Sequence, residues 1–279
     1  MKIGIVGLGL IGGSLGLDLV ARGHEVIGVS RKPSTCNTAL ERGAVTRAGT
    51  ELTILDDGCD LIVICTPIQA ILPTLEKIIA LLSSPCVITD VGSVKGAVVY
   101  RATELCPYFV GSHPMAGSAL QGIDAAMANL FENAPCVVTP ISQTSPQALQ
   151  KVSAFWQSLG CLIYNTTPEL HDQAVAWVSH LPVMVSANLI YSCLQESRPE
   201  LLQLAKALAS SGFRDTSRVG GGNVELGLMM AQYNRESLLA CLRQYQENLE
   251  YLIGQIEEEN WDNVRAFLSL CQQQRPDFL

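Results

Sequence analysis

Charge is scarce in this chain. Of its 279 residues 16% are charged and 6% aromatic, while 48% are hydrophobic, against roughly 25% charged in an average soluble protein. Such a composition excludes intrinsic disorder and calls for a large buried core. Positive charge is the scarcer kind: 18 Lys and Arg against 26 Asp and Glu leave a formal net charge of −8 with His neutral. With no cluster of Lys and Arg the chain lacks the counterion-release term that drives nucleic-acid binding, and an anionic membrane surface repels it. Neither partner is expected. Met1-Lys2-Ile3-Gly4-Ile5-Val6 runs straight into glycine-rich sequence, without the apolar region and cleavage site of a secretory signal, so a cytosolic protein is expected. No C-x-x-C occurs among the ten cysteines, and the nearest two, Cys59 and Cys65, are six positions apart. Most lie in apolar runs such as Leu61-Ile62-Val63-Ile64-Cys65, so they read as thiols acting as small hydrophobes, with no metal expected. Internal repeats and low-complexity tracts are missing, which excludes solenoids and fibrous proteins. From Gln173 to Gln195 no residue is charged. That length could span a bilayer, but His180, Pro182, Asn188 and three serines interrupt it. A helix pair buried in a core or a dimer interface is the better expectation.

What is present is a rhythm. Short apolar runs alternate with amphipathic stretches over the first 165 or so residues, as in a parallel sheet built from strand–helix–strand units. Strands are predicted at Lys2 to Val6, Glu25 to Ser30, Leu61 to Cys65, Cys86 to Asp90, Tyr108 to Gly111, Cys136 to Thr139 and Cys161 to Tyr164. Helices are predicted at Gly12 to Arg22, Ile68 to Leu82, Lys95 to Leu105 and Pro146 to Leu159. The fold class is α/β, a doubly wound, mostly parallel sheet. A helix-start signal, Thr166-Thr167-Pro168-Glu169, follows the last strand, and everything beyond it reads as helix. Leu238, Leu242, Tyr245, Leu249 and Leu252 recur at three- and four-residue steps along one face. The expected domains are 1–165 and 166–279, the second all-helical and apolar enough to pair with a second copy of itself in a homodimer.

Gly7-Leu8-Gly9-Leu10-Ile11-Gly12 follows the first strand and opens a helix, the context of the dinucleotide-binding fingerprint. The first Gly makes the tight turn, the second lets backbone approach a pyrophosphate, the third lets helix pack on strand, and the helix N-terminus offers free amides to phosphate. At the end of the second strand an acid would bind the ribose hydroxyls of NAD; here stand Ser30-Arg31-Lys32-Pro33, a hydroxyl and two cations suited to the 2′-phosphate of NADP. Glu25 lies at the wrong end of that strand. Other strands end in Cys65-Thr66-Pro67 and Asp90-Val91-Gly92-Ser93-Val94-Lys95. Ligands bind outside the carboxyl ends of such strands, so Cys65, Thr66, Pro67, Gly92 and Ser93 should line the cofactor crevice. Ser93 could also cap the helix predicted from Lys95.

A further strand end carries Gly111-Ser112-His113-Pro114-Met115-Ala116-Gly117-Ser118, which holds an imidazole beside the nicotinamide, able to accept a proton near neutral pH. His24 and His171 are expected to be solvated. His180 interrupts the uncharged run ahead of Pro182, which should break the helix and place His180 at a junction. Ser211-Gly212-Phe213-Arg214-Asp215-Thr216-Ser217-Arg218 brings guanidinium groups suited to a carboxylate. The residues alone leave open a satisfied buried His180 and a surface Arg214 paired with Asp215.

Taken in order, Gly7 to Gly12, Asp90 to Lys95, Gly111 to Gly117, Ser179-His180-Leu181-Pro182 and Gly212-Phe213-Arg214-Asp215-Thr216 resemble the prephenate/arogenate dehydrogenase family of tyrosine biosynthesis. The resemblance covers nearly the whole chain. It implies a Rossmann-type domain followed by an all-helical dimerisation domain, and oxidative decarboxylation of a cyclohexadienol whose ring C4 gives hydride to the nicotinamide while the ring carboxylate leaves as CO2. By match of motif His113 accepts the 4-hydroxyl proton, Ser93 orients that hydroxyl, Arg214 holds a substrate carboxylate and His180 lines the pocket. On the helix ahead of Asn234 this chain has Met where family members often carry Trp, and Gly220-Gly221-Gly222 is unusual. The NADP signature leans toward arogenate, giving tyrosine, over prephenate, giving 4-hydroxyphenylpyruvate. Hydroxyacid dehydrogenases and imine reductases share the expected architecture, but the former use a Lys in the helical domain, where Lys206 is alone and in an ordinary context. An NADP(H)-sensing module that binds a partner protein is the non-enzymatic alternative.

Overall fold

In the computed structural model, which describes residues 1–118 and 120–278, the first strand β1 (Lys2–Val6) is an interior strand of an eight-stranded sheet. Leu279, the last residue of the expected helical domain, lies outside the described residues. After β1 come α1 (Leu10–Ala21), β2 (Glu25–Val29), α2 (Pro33–Glu41), β3 (Arg47–Gly49), β4 (Leu61–Ile64), α3 (Ile68–Leu81), β5 (Val87–Asp90), α4 (Val99–Leu105), β6 (Phe109–Pro114), β7 (Pro135–Thr139), α5 (Pro146–Ser158) and β8 (Leu162–Asn165). The sheet order is β3-β2-β1-β4-β5-β6-β7-β8, and every pairing is parallel except β6 with β7. β1 therefore feeds β2 on one side and meets β4 on the other, so the direction of winding reverses there, which is where such sheets open a ligand crevice. Helices cover both faces, which is why β4 is apolar throughout: Leu61 and Val63 join the core around Leu15, Phe131 and Trp156, while Ile62 and Ile64 join the one around Ile71, Leu75 and Phe109.

Three departures from the sequence reading have local causes. β3 is an edge strand of three residues, too short to show a pattern. β6 continues past Gly111 because antiparallel pairing with β7 captures Gly111 to Pro114 opposite Thr139 to Cys136. Helix α4 starts at Val99 instead of Lys95, and Ser93 is not its cap, because Lys95 is drawn inward onto Asp90 and the chain turns before winding.

Beyond Asn165 the described chain is helical: α6 (Pro168–Val175), a π turn (Ala176–His180), α7 (Leu181–Leu194), α8 (Pro199–Leu208), α9 (Ser211–Ser217), α10 (Val224–Tyr233), α11 (Arg235–Glu257) and α12 (Trp261–Gln274). Thr167 caps α6 by accepting from the Leu170 amide at 3.2 Å, with Pro168 in the first turn. The uncharged run is not the expected helix pair. It is one continuous helical rod from Pro168 to Leu194, long and apolar enough by composition to cross a membrane, though only partly buried. Pro182 does not break it, because Pro fits the first turn of α7 and the π turn just before it absorbs the missing amide. Ala176, Leu181, Leu238 and Cys241 form a small core with Met184 and Leu242 around them. Further along α11 the same face is uncovered, Tyr245 and Leu249 being exposed. Within the Gly220–Gly222 segment, Gly220 finds a reason: a side chain there would meet the Ala187 amide nitrogen at 2.3 Å, and its own amide donates to Ser186 Oγ at 2.8 Å.

Candidate active site

The carboxyl ends of β1, β2, β4, β5 and β6 lie along one edge of the sheet. At the end of β1 the chain turns through Gly7, whose φ of +102° is left-handed, and a Cβ there would stand 2.6 Å from the Cys65 carbonyl oxygen. A Cβ on Gly12 would stand 2.0 Å from the Gly7 carbonyl oxygen, so the start of α1 is pressed onto the turn. Gly9, at the N-cap of α1, faces nothing within 4 Å and has no side chain capping the free amides. That cradle fits a pyrophosphate. Ser30 is half-buried at the end of β2, and Arg31 and Lys32 are exposed beside it. The acid of that strand, Glu25, sits at its opposite end, 3.6 Å from Lys2 and 4.0 Å from Arg47. Across the crevice Thr66 Oγ1 is buried without a hydrogen-bond partner among the described residues, and burial pushes the Cys65 thiol far up, so that it is a neutral apolar neighbour.

His113 stands at the end of β6 and is buried. Its Nδ1 is 2.9 Å from His171 Nε2, and His171 Nδ1 is 2.7 Å from Asp172 Oδ1. Asp172 in turn accepts from the Lys95 amide on Oδ1 and from the Gly96 amide on Oδ2, both at 2.8 Å, which ties α6 to the turn after β5. Asn234, between α10 and α11, donates to the Asp172 carbonyl oxygen at 2.7 Å and lies 3.1 Å from His180 Nδ1. His180 is fully buried and its Nε2 has no hydrogen-bond partner among the described residues. Burial first, then the electrostatic influence of the neighbouring His171, Lys95 and His180, holds the His113 pKa well below the ordinary 6.5, and burial lowers His180 to about 4. Both imidazoles are therefore neutral near pH 7. A buried neutral imidazole at the cofactor end of a sheet can take a proton from a bound hydroxyl.

Residues 15–165 match the family model of the prephenate dehydrogenase nucleotide-binding domain, and residues 167–270 that of the prephenate dehydrogenase dimerization domain. The chain belongs to the prephenate dehydrogenase family. It is thus an oxidoreductase of the prephenate/arogenate dehydrogenase type, which acts in tyrosine biosynthesis. It is 30% identical to a prephenate dehydrogenase of Bacillus subtilis over 97% of this chain and 74% of that protein. A crystal structure of Synechocystis arogenate dehydrogenase is 53% identical, superimposes with a TM-score of 0.88 and covers the whole of both chains. Prephenate dehydrogenase of Aquifex aeolicus, solved with hydroxyphenyl propionate and NAD+, is 26% identical with a TM-score of 0.93, over 100% of this chain and 98% of that one.

Within this member of the prephenate dehydrogenase family the expected site residues divide. Gly7, Gly9, Leu10, Ile11 and Gly12 lie together at the start of α1, and Cys65, Thr66, Pro67, Gly92 and Ser93 follow the ends of β4 and β5 on the same sheet edge as His113. Ser93, freed from capping, is half-buried there. His180 joins His113 through Asn234, Asp172 and His171. Arg214 does not join them: it is exposed on the short α9 and donates to its neighbour Asp215 at 3.1 Å, the surface pairing that the residues had left open. His171 is a correction. It is not solvated but 2% exposed, because Thr167 and Pro168 start α6 so that positions 168, 171, 172 and 175 face inward. Sequence reading also passed over Asp172, Asn234 and the Asp90–Lys95 pair. A usable signal existed for the first: His171 and Asp172 precede a long uncharged run, so the helix carrying them had to go inside.

Proposed function

We propose that the chain is an NADP-dependent arogenate dehydrogenase, converting arogenate to tyrosine and CO2, with prephenate the alternative substrate. The observation that carries this reading is His113, a buried neutral imidazole at the end of β6, on the same sheet edge as the Gly7–Gly12 cradle. The absence of an acid at the end of β2, where Ser30, Arg31 and Lys32 stand, supports NADP over NAD. Full-length similarity to the Synechocystis arogenate dehydrogenase supports arogenate.

Gly7, Gly9, Leu10, Ile11 and Gly12 would hold the pyrophosphate, Ser30, Arg31 and Lys32 the 2′-phosphate, and Cys65, Thr66, Pro67 and Gly92 the ribose and nicotinamide side. When bound, the nicotinamide supplies the acceptor for the hydride leaving ring C4. His113 takes the proton of the 4-hydroxyl as the carbonyl develops, and gives it back to the phenol oxygen once the ring carboxylate has left and the ring is aromatic, so no net proton is released. Ser93 orients the hydroxyl, His180 lines the pocket and Arg214 holds a carboxylate. Because Arg214 is paired with Asp215 on the surface, that last role requires α9 to turn its guanidinium inward or a second copy to be served by it.

We also assign residues 1–165 to the cofactor domain and 166–279 to a substrate and homodimer domain, an assignment supported by the spans of the two family models and by the uncovered apolar face of α11. A cytoplasmic location is supported by ten unpaired cysteines, six of them buried. Absorbance of reduced cofactor tests the proposal, with arogenate or prephenate offered against NADP or NAD. Fast reduction with arogenate and NADP is expected. Faster turnover with prephenate or with NAD would overturn the corresponding half of the assignment.

A further inference from the structure

We infer that Asp172 and His171 are positioning residues that fix the tautomers of the two pocket histidines in opposite senses, leaving a lone pair on His113 Nε2 and a hydrogen on His180 Nε2. The inference rests on His113 being the base and adds what makes it one. Both oxygens of Asp172 accept from backbone amides, Lys95 N on Oδ1 and Gly96 N on Oδ2. A carboxylate so placed has only acceptor capacity left, so in the 2.7 Å contact His171 Nδ1 must be the donor. Held singly protonated, as the inference requires, the His171 ring then has its lone pair on Nε2. In the 2.9 Å contact with His113, His113 Nδ1 must therefore donate. That places the His113 lone pair on Nε2, the nitrogen not used by the chain of contacts.

The other branch starts from the Asp172 main-chain oxygen, which can only accept. Asn234 is thereby fixed with Nδ2 toward it at 2.7 Å, and the second hydrogen of the same amide points to His180 Nδ1 at 3.1 Å. His180 Nδ1 accepts, so its hydrogen is on Nε2, the buried atom that finds no partner among the described residues. One residue thus gives the pocket a proton acceptor and a hydrogen-bond donor, the pair needed where a hydroxyl becomes a carbonyl and a ring or side-chain oxygen must be held. The π turn serves this arrangement. Inward positions step from 171 and 172 to 175 and 176 and then, one residue longer, to 180 and 181, which brings His180 round to the face of Asp172. The charged and titratable groups facing His113 are His171 from α6, Lys95 from the turn after β5 with Asp90 behind it, and His180 from the π turn. When His113 gains a proton, His171 can share that charge toward Asp172.

The first test is a long-range proton–nitrogen correlation spectrum of the full-length protein labelled with 15N-histidine, at neutral pH and without substrate. The unprotonated nitrogen is expected to be Nε2 in His113 and Nδ1 in His180, with signals assigned by loss in H113N and H180N. An unprotonated Nδ1 in His113 or Nε2 in His180 would overturn the inference. The second is kinetic. H171L, which removes the acceptor, is expected to lower kcat about 100-fold with little change in KM for NADP, whereas H171Q, whose side-chain oxygen can accept from His113, stays within about tenfold of the parent. Equal losses in both variants, or H171L within about twofold of the parent, would also overturn it. The spectrum decides even if H171L does not fold. Failure of the parent to turn over either substrate would remove the enzymatic reading but leave the tautomer result standing.

Discussion

Lys95 and Asp90 form an ion pair with both side chains wholly buried, and the ammonium also donates to the Ser112 carbonyl oxygen at 2.8 Å. Asp90 binds the Ser112 amide at 3.2 Å through one oxygen and the Gly92 amide at 2.8 Å through the other. The pair therefore fixes the turn that carries Ser93 and the residue just before His113. Replacing Lys95 by Met leaves a buried carboxylate uncompensated, and the expected cost is about 3–5 kcal/mol in urea unfolding. The double variant with Asp90→Asn as well should recover a good part of that. If the double variant is no more stable than the single one, the loss lies in packing and not in the stranded charge.

Removal of the base is the direct test of the chemistry. His113→Asn should reduce kcat by about 10²–10⁴, the range spanned by general acid–base groups. Titration of NADPH fluorescence should give a dissociation constant close to the parent's, because His113 lies at the end of β6 and the cradle at the ends of β1 and β2. Parent-like turnover by the variant excludes His113 as the base.

Cofactor choice is predicted to turn on Ser30. Ser30→Asp installs a carboxylate where the 2′-phosphate would lie and where ribose hydroxyls would be accepted in its place. The expected result is a fall of about 10- to 100-fold in kcat/KM with NADP together with a gain with NAD, from loss of one or two charge-assisted contacts. A variant with the parent's preference would show that the phosphate is held elsewhere or that NAD is the natural cofactor.

How much of this was legible beforehand differs between the two halves of the chain. The sheet was readable because each central strand is buried on both sides and so is apolar throughout, as at Leu61 to Ile64, and because Gly7, Gly9 and Gly12 punctuate one strand–helix junction. His113 was readable from its place at a strand end. The support beneath it was not. Lys95, fully buried, looks in the sequence like a residue of a helix's first turn, and only the folded path past Asp90 takes it inside. Asp172 and Asn234 are 62 positions apart and meet across two helices, a relation that no local period encodes. Pro182 misled for a related reason: its effect on the helix depends on the π turn before it.

The pH dependence of stability carries a sign that the buried histidines set. His180 has a folded pKa of about 4 against 6.5 unfolded, because burial disfavours its charged form. The unfolded chain therefore takes up the proton first, so the stabilisation is present in full above pH 6.5 and is lost as pH falls toward about 4. For His180 alone the loss approaches about 3 kcal/mol across that window. His113, also lowered, contributes in the same direction. Asp56, Asp57, Glu169 and Glu196 have lowered pKa values as well, so acidification costs them too, but only as pH falls below the ordinary carboxylate range. Urea unfolding between pH 7.5 and 5, roughly above that range, should then show stability falling with acid in the parent and falling less in His180→Gln. Equal slopes in the two proteins would mean that His180 is solvated and charged in the fold. The same lowering makes an activity prediction: with His113 neutral well below pH 6.5, the plateau of kcat/KM should extend below that value, and a fall centred on it would mean an exposed, unperturbed base.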